Sequence, residues 1–99
     1  MITHTVLFRL RDDLPEAERT ESMQNFRNGI LGFSRDALRY QHVSVGFNIN
    51  SSESWDICLT ATFADMADLA HYAAHSDHIR VAGALKPLLA ARACVDSAD

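Results

Sequence analysis

Five histidines, two tyrosines and two cysteines are the residues of this 99-residue chain best able to do chemistry at neutral pH. Imidazole is the side chain that changes charge nearest neutrality. Three of the histidines and one tyrosine crowd into a single segment, His71-Tyr72-Ala73-Ala74-His75-Ser76-Asp77-His78. A fourth, His4, stands among Ile2, Val6 and Phe8 on the apolar side of an alternating run. A histidine buried there must find a polar partner. If Tyr72 and His78 come from the layer packed against it, the three supply a base near neutral pH and an O–H donor for a developing oxyanion. That pair suits removal of a proton next to a carbonyl. Without chemistry, the same three residues make a satisfied polar network.

A metal reading of His71, His75 and His78 follows from their spacings of four and three, which share one helical face. Ser76-Asp77 interrupts that helix, and neither a cysteine nor a close carboxylate pair in the segment completes a tetrahedral set. His71 is therefore read as solvated and His75 as shaping the helix junction. His42, beside Tyr40, is either a pocket-rim residue or an exposed one, depending on strand register. Cys58 and Cys94 are far apart and form no CxxC pair, which predicts two buried thiols in a reducing, cytoplasmic setting. Neither lies in an electropositive loop, and the sequence holds no Gly-x-Ser-x-Gly elbow and no glycine-rich phosphate loop.

The elements that must position these groups follow from periodicity. Ile2 to Leu10 alternates strictly, with Ile2, His4, Val6, Phe8 and Leu10 on one face and Thr3, Thr5, Leu7 and Arg9 on the other. Pro15, Glu16 and Glu18 open a helix that runs to Leu31, with Met23, Phe26, Ile30 and Phe33 as its core stripe. Tyr40–Ile49 and Trp55–Phe63 alternate again around a polar turn and form an antiparallel hairpin. Asp65 caps a second helical region carrying Met66, Leu69, Tyr72 and Ala73, continued by a short helix over Ile79–Leu89. Ala90–Val95 is a last, apolar strand expected at the sheet centre. The order β-α-β-β-α-β is the α+β ferredoxin-like arrangement with a four-stranded antiparallel sheet, in one domain over residues 1–99.

Helices on one side of such a sheet leave its other face bare. Leu7, Val43, Val45, Phe47 and Cys58 are assigned to that face, an apolar patch that two copies would bury by packing sheet to sheet. A homodimer is the expected partner state. The net charge of −4, without any Lys/Arg run, excludes a nucleic-acid footprint and steering to anionic membranes. No stretch approaches the roughly 20 apolar residues of a membrane span, and the N-terminus reads as neither signal nor transit peptide.

The chain resembles the stress-responsive α/β barrel (Dabb) domains of the dimeric α+β barrel superfamily. The likeness rests on His4-Thr-Val-Leu-Phe-Arg-Leu, Val45-Gly46, Asp56 to Phe63, Tyr72-Ala-Ala-His75-Ser-Asp-His78 and Val95-Asp96. It implies a ferredoxin-like protomer whose sheets pair into a dimeric α/β barrel. Ser76 replaces a proline frequent in the family, and a serine there can cap the next helix. A plant member closes a linear polyketide thioester by aldol condensation without metal or cofactor. Its catalytic histidine matches His78, its assisting tyrosine Tyr72 and its strand histidine His4. A second pocket tyrosine of that enzyme falls at Phe26. The resemblance thus implies a cofactor-free lyase or cyclase with His4, Tyr72 and His78 catalytic and with Phe26 and His75 on the substrate side. Alternatives are a non-catalytic stress-related or ligand-binding dimer, a cofactor-independent monooxygenase, and a metal- or haem-handling module.

Overall fold

The computed structural model describes residues Met1–Asp99. Its elements are β1 (Ile2–Leu10), α1 (Glu16–Leu31), the short α2 (Arg35–Leu38), β2 (His42–Phe47), β3 (Ile57–Phe63), α3 (Met66–Ala74), α4 (Ser76–Leu85), a 3-10 turn at Lys86–Leu88 and β4 (Leu89–Ala98). The four strands form one antiparallel sheet in the order β2-β3-β1-β4. This is the expected ferredoxin-like topology.

β1 is central and its alternation sorts the layers. His4, Val6, Phe8 and Leu10 are all buried toward the helices. Opposite them on β3 stand Ala61, Leu59 and Ile57, which with Phe63 are nearly sealed from solvent. Phe26 and Ile30 of α1, Leu69 and Tyr72 of α3, and Val81 and Leu85 of α4 close the core from the other layer. The helices themselves come very close. A Cβ added at Gly29 of α1 would stand 2.9 Å from both Val81 γ-carbons, so glycine lets α1 and α4 touch.

Three expectations change. Val43, Val45 and Phe47 pair with Ala61, Leu59 and Ile57, so they face the helices and not the bare side. The bare face instead carries His42, Ser44 and Gly46 of β2, Cys58, Thr60 and Thr62 of β3, Thr3, Thr5 and Leu7 of β1, and Ala93 and Val95 of β4. Bulky β-branched and aromatic residues went to the core, where their burial is worth most. The last strand lies at the edge, pairing with β1 alone, and it extends to Ala98. Its alanine-rich sequence reads as apolar but brings too little volume to fill a sheet centre. Finally, both cysteines are exposed and unpaired, one on each face of the sheet.

Asp56 ties the layers together at one end. Its Oδ2 accepts the Leu10 amide at 2.7 Å, Oδ1 faces the Arg19 guanidinium of α1 at 3.3 Å, and its own amide donates to the Phe8 carbonyl. Asp56→Ala orphans the Leu10 amide where β1 shifts register against β4. The expected loss is about 1–3 kcal/mol of unfolding free energy, measured by urea denaturation, with Asp56→Asn costing less.

Candidate active site

The site grows from two places where regular structure is broken or paired in a particular register. The first is the junction of α3 and α4. Asp65 caps α3, accepting the Asp68 amide at 2.9 Å. The helix stops at His75, whose extended backbone (φ −65°, ψ 139°) turns the chain. His75 then caps α4: its Nδ1 accepts the Asp77 amide at 3.1 Å. Histidine rather than Ser76 makes this cap, so the serine substitution leaves the junction intact by another route than expected.

The break redirects His78. Its Nδ1–H donates back to the Ala73 carbonyl at 3.1 Å, and its ring lies 4.6 Å from that of Tyr72. With Nδ1 engaged by the backbone, Nε2 keeps the lone pair. Burial pushes the His78 pKa down, aided by the charges of His4 and Arg92 and opposed by the Ala73 hydrogen bond. At neutral pH the group is a free imidazole base.

Tyr72 is fully buried. Phe63, Phe33, His4 and His78 surround its ring, at centroid distances of 5.1, 6.2, 6.3 and 4.6 Å. Its hydroxyl is the one buried side-chain polar atom without a hydrogen-bond partner. Burial raises the phenol pKa well above its ordinary range, so the group holds its proton. It is a donor with nothing to donate to.

The second place is the β1·β4 ladder, which sets His4 opposite Asp96 and Val6 opposite Cys94. Nδ1 of His4 meets the Asp96 carboxylate at 2.5 Å, and Cys94 Sγ lies 3.6 Å from the same nitrogen. The carboxylate orients the imidazole and leaves its Nε2 for the interior. Asp96 and Cys94 were not singled out as site residues from the sequence. Only the register brings them to His4, and alternation alone gives no register against a strand ninety residues away.

The family model of the stress responsive A/B barrel domain matches residues 2–99. The chain belongs to this family. A stress-response A/B barrel domain-containing protein of Arabidopsis thaliana is 32% identical over 83 residues; these cover 82% of this chain and 30% of that protein. The chain therefore spans about a third of the length of that relative. A dimeric protein of unknown function with a ferredoxin-like fold from Bacteroides fragilis is 34% identical, with a TM-score of 0.94 over 99% of this chain and 95% of that one. A hydroxynitrile lyase from Passiflora edulis shares the fold at 13% identity, with a TM-score of 0.72 over 97% and 90% of the two chains.

In this A/B barrel domain His4, Tyr72 and His78 come together. Two other expected site residues do not join them. Phe26 stacks edge-on against Phe8 at 5.2 Å and lines a separate cleft of about 270 Å³ between α1 and α4, beside Arg80 and Val81. His75 is occupied as a helix cap. His71, expected in solvent, is half-buried with Nε2 2.8 Å from the Ala37 carbonyl, and His42 is exposed on the bare face.

The depressed His78 pKa has a consequence for stability. The unfolded chain binds a proton at this residue near pH 6.5, its ordinary value, while the folded chain resists it. Its contribution is thus complete above that pH and is lost as pH falls toward the lower folded value. The unfolding free energy should decline as pH falls through and below the ordinary histidine value of 6.5, more steeply in the native chain than in His78→Gln. Denaturant titrations at each pH measure the difference.

Proposed function

We propose that this domain is a cofactor-free lyase or cyclase acting on a small carbonyl compound. His78 is the base, Tyr72 the donor to the developing oxyanion, and His4 the residue that supports the cluster from the sheet. The unpartnered Tyr72 hydroxyl carries this reading. A buried polar group without a partner costs about 1–3 kcal/mol, and a substrate oxygen in hydrogen-bond reach would remove that cost.

The chemistry follows from the two protonation states. Nε2 of His78 takes a proton from the carbon next to the carbonyl, and the C–H electron pair moves into the enolate. Tyr72 O–H stabilises the oxygen that gains the charge. The enolate carbon then attacks a second carbonyl, forming one C–C bond, and imidazolium returns its proton to the resulting alkoxide. Run backwards, the same steps break a C–C bond.

The test is α-proton exchange in D2O, followed by NMR on a panel of β-keto esters and thioesters. The native chain should accelerate exchange for some member of the panel. His78→Ala should abolish the acceleration, and Tyr72→Phe should lower it by about 10²–10³. Tyr72→Phe should also unfold no earlier than the native chain, because it removes a hydroxyl that bonds nothing. Exchange that survives His78→Ala unchanged refutes the assignment.

The homodimer belongs to the same proposal. The bare sheet face sets Leu7, Val95, Ala93 and Cys58 among threonines, with no charged residue at its centre, a patch that a second copy would cover. Val95 is 65% exposed in the single chain. The Bacteroides relative is dimeric. Sedimentation equilibrium should give a dimer, and Leu7→Glu should shift it to monomer by putting a charge into the apolar patch that the second copy would bury. A native chain that sediments as a monomer overturns this part.

A further inference from the structure

We propose that His4, Cys94 and Asp96 form a binding site for a borderline-soft divalent cation of the Zn2+ class, with three protein ligands and an open fourth position. The donor set is one imidazole nitrogen, one sulfur and one carboxylate oxygen, the combination such ions select over Mg2+ or Ca2+. The three donor atoms all lie within 4.8 Å of one another. This group is separate from the His71, His75, His78 segment, whose members are held by the backbone or by a helix cap.

The distances fit. Metal–sulfur bonds near 2.3 Å and metal–nitrogen or –oxygen bonds near 2.0–2.1 Å, at tetrahedral angles, hold neighbouring donor atoms roughly 3.3–3.6 Å apart. Cys94 Sγ already stands 3.6 Å from His4 Nδ1 and 3.7 Å from Asp96 Oδ1. The Nδ1–Oδ1 pair, at 2.5 Å, must widen. Rotation of the Asp96 carboxylate supplies that, since its side chain is 32% exposed and held by no second element.

The frame is rigid where it needs to be. Cys94 and Asp96 are two apart on β4, so both point to one face, and the ladder fixes His4 directly across from Asp96. Register on β4 is unbroken from Ile2↔Ala98 to Arg9↔Ala91. Two ligands are exposed and the third buried, so an ion can enter from the sheet edge and finish against His4. Ligation needs the thiolate, so the metal takes the place of the Cys94 thiol proton. Binding releases that proton to solvent, and ligation through Nδ1 puts the His4 ring proton on Nε2.

Co2+ titration of the chelator-stripped full chain tests the site, because thiolate ligation gives cobalt a charge-transfer band that imidazole and carboxylate do not. The band should grow to saturation at one Co2+ per chain, and added Zn2+ should bleach it. Cys94→Ser should remove the band, Asp96→Asn should weaken binding at least tenfold, and Cys58→Ser should leave both as they were. Circular dichroism of each metal-free variant shows whether it is folded. Absence of the band in the native chain, or its loss in Cys58→Ser with retention in Cys94→Ser, overturns the proposal. The readout needs no turnover, and His78→Ala should bind cobalt as the native chain does. Failure of the carbonyl chemistry and failure of the metal site are thus separately visible.

Discussion

Everything in this domain is referred to β1, because it pairs with β3 on one side and with β4 on the other and carries the histidine that joins sheet to helices. Its period of two is a hard constraint. A slip of one residue would turn His4, Val6, Phe8 and Leu10 to the bare face and leave the helices resting on threonines. The same register, carried across to β4, is what puts a carboxylate opposite His4. Fold and site are therefore not separable here: the ladder that builds the sheet also selects the partner of the only buried histidine.

The second determinant is a helix that is not allowed to continue. Had α3 run on through His75, His78 would lie one turn along from Ala74 on a straight cylinder, with Nδ1 free to rotate. The extended backbone at His75 starts a new helix, and the offset lets His78 reach back to the Ala73 carbonyl. One backbone hydrogen bond thereby fixes the ring's tautomer and holds it tilted against Tyr72. A histidine held this way gives up rotamer freedom on folding, so its ring has a defined direction in the folded chain.

Much of this could be read from residues alone, and the reason is local. The strands and the order of elements are written in alternation and capping: Ile2 to Leu10, Asp65 before Met66, the polar turn between β2 and β3. The meeting of His4, Tyr72 and His78 was also expected, partly from family likeness and partly because a strand histidine on the helix-facing side must meet the helical layer. What could not be read is pairing. Val43, Val45 and Phe47 alternate as well on one face as on the other, and only register against Ala61, Leu59 and Ile57 decides between them. The same ignorance hid Asp96 and Cys94, and it sent an alanine-rich edge strand to the centre. Capping by His75 was missed because imidazole is an uncommon cap beside a serine that looks suited to the task.

The layout along β1 also explains how so small a core tolerates a polar cluster. Toward its C-terminal end the strand presents Phe8 and Leu10, sealed by Phe26 and tied down by Asp56. Toward its N-terminal end it presents His4, and there the structure holds a partnerless hydroxyl, a neutral imidazole and a carboxylate. Apolar burial is worth about 25 cal/mol per Å², so the first end carries most of the stability. The second end gives some of it back. If the polar residues were spread evenly, each would break the packing of a different layer contact and weaken every one. Gathered at one end, beside the sheet edge, they weaken the fold at a single place, with the Tyr72 ring between those of His4 and His78.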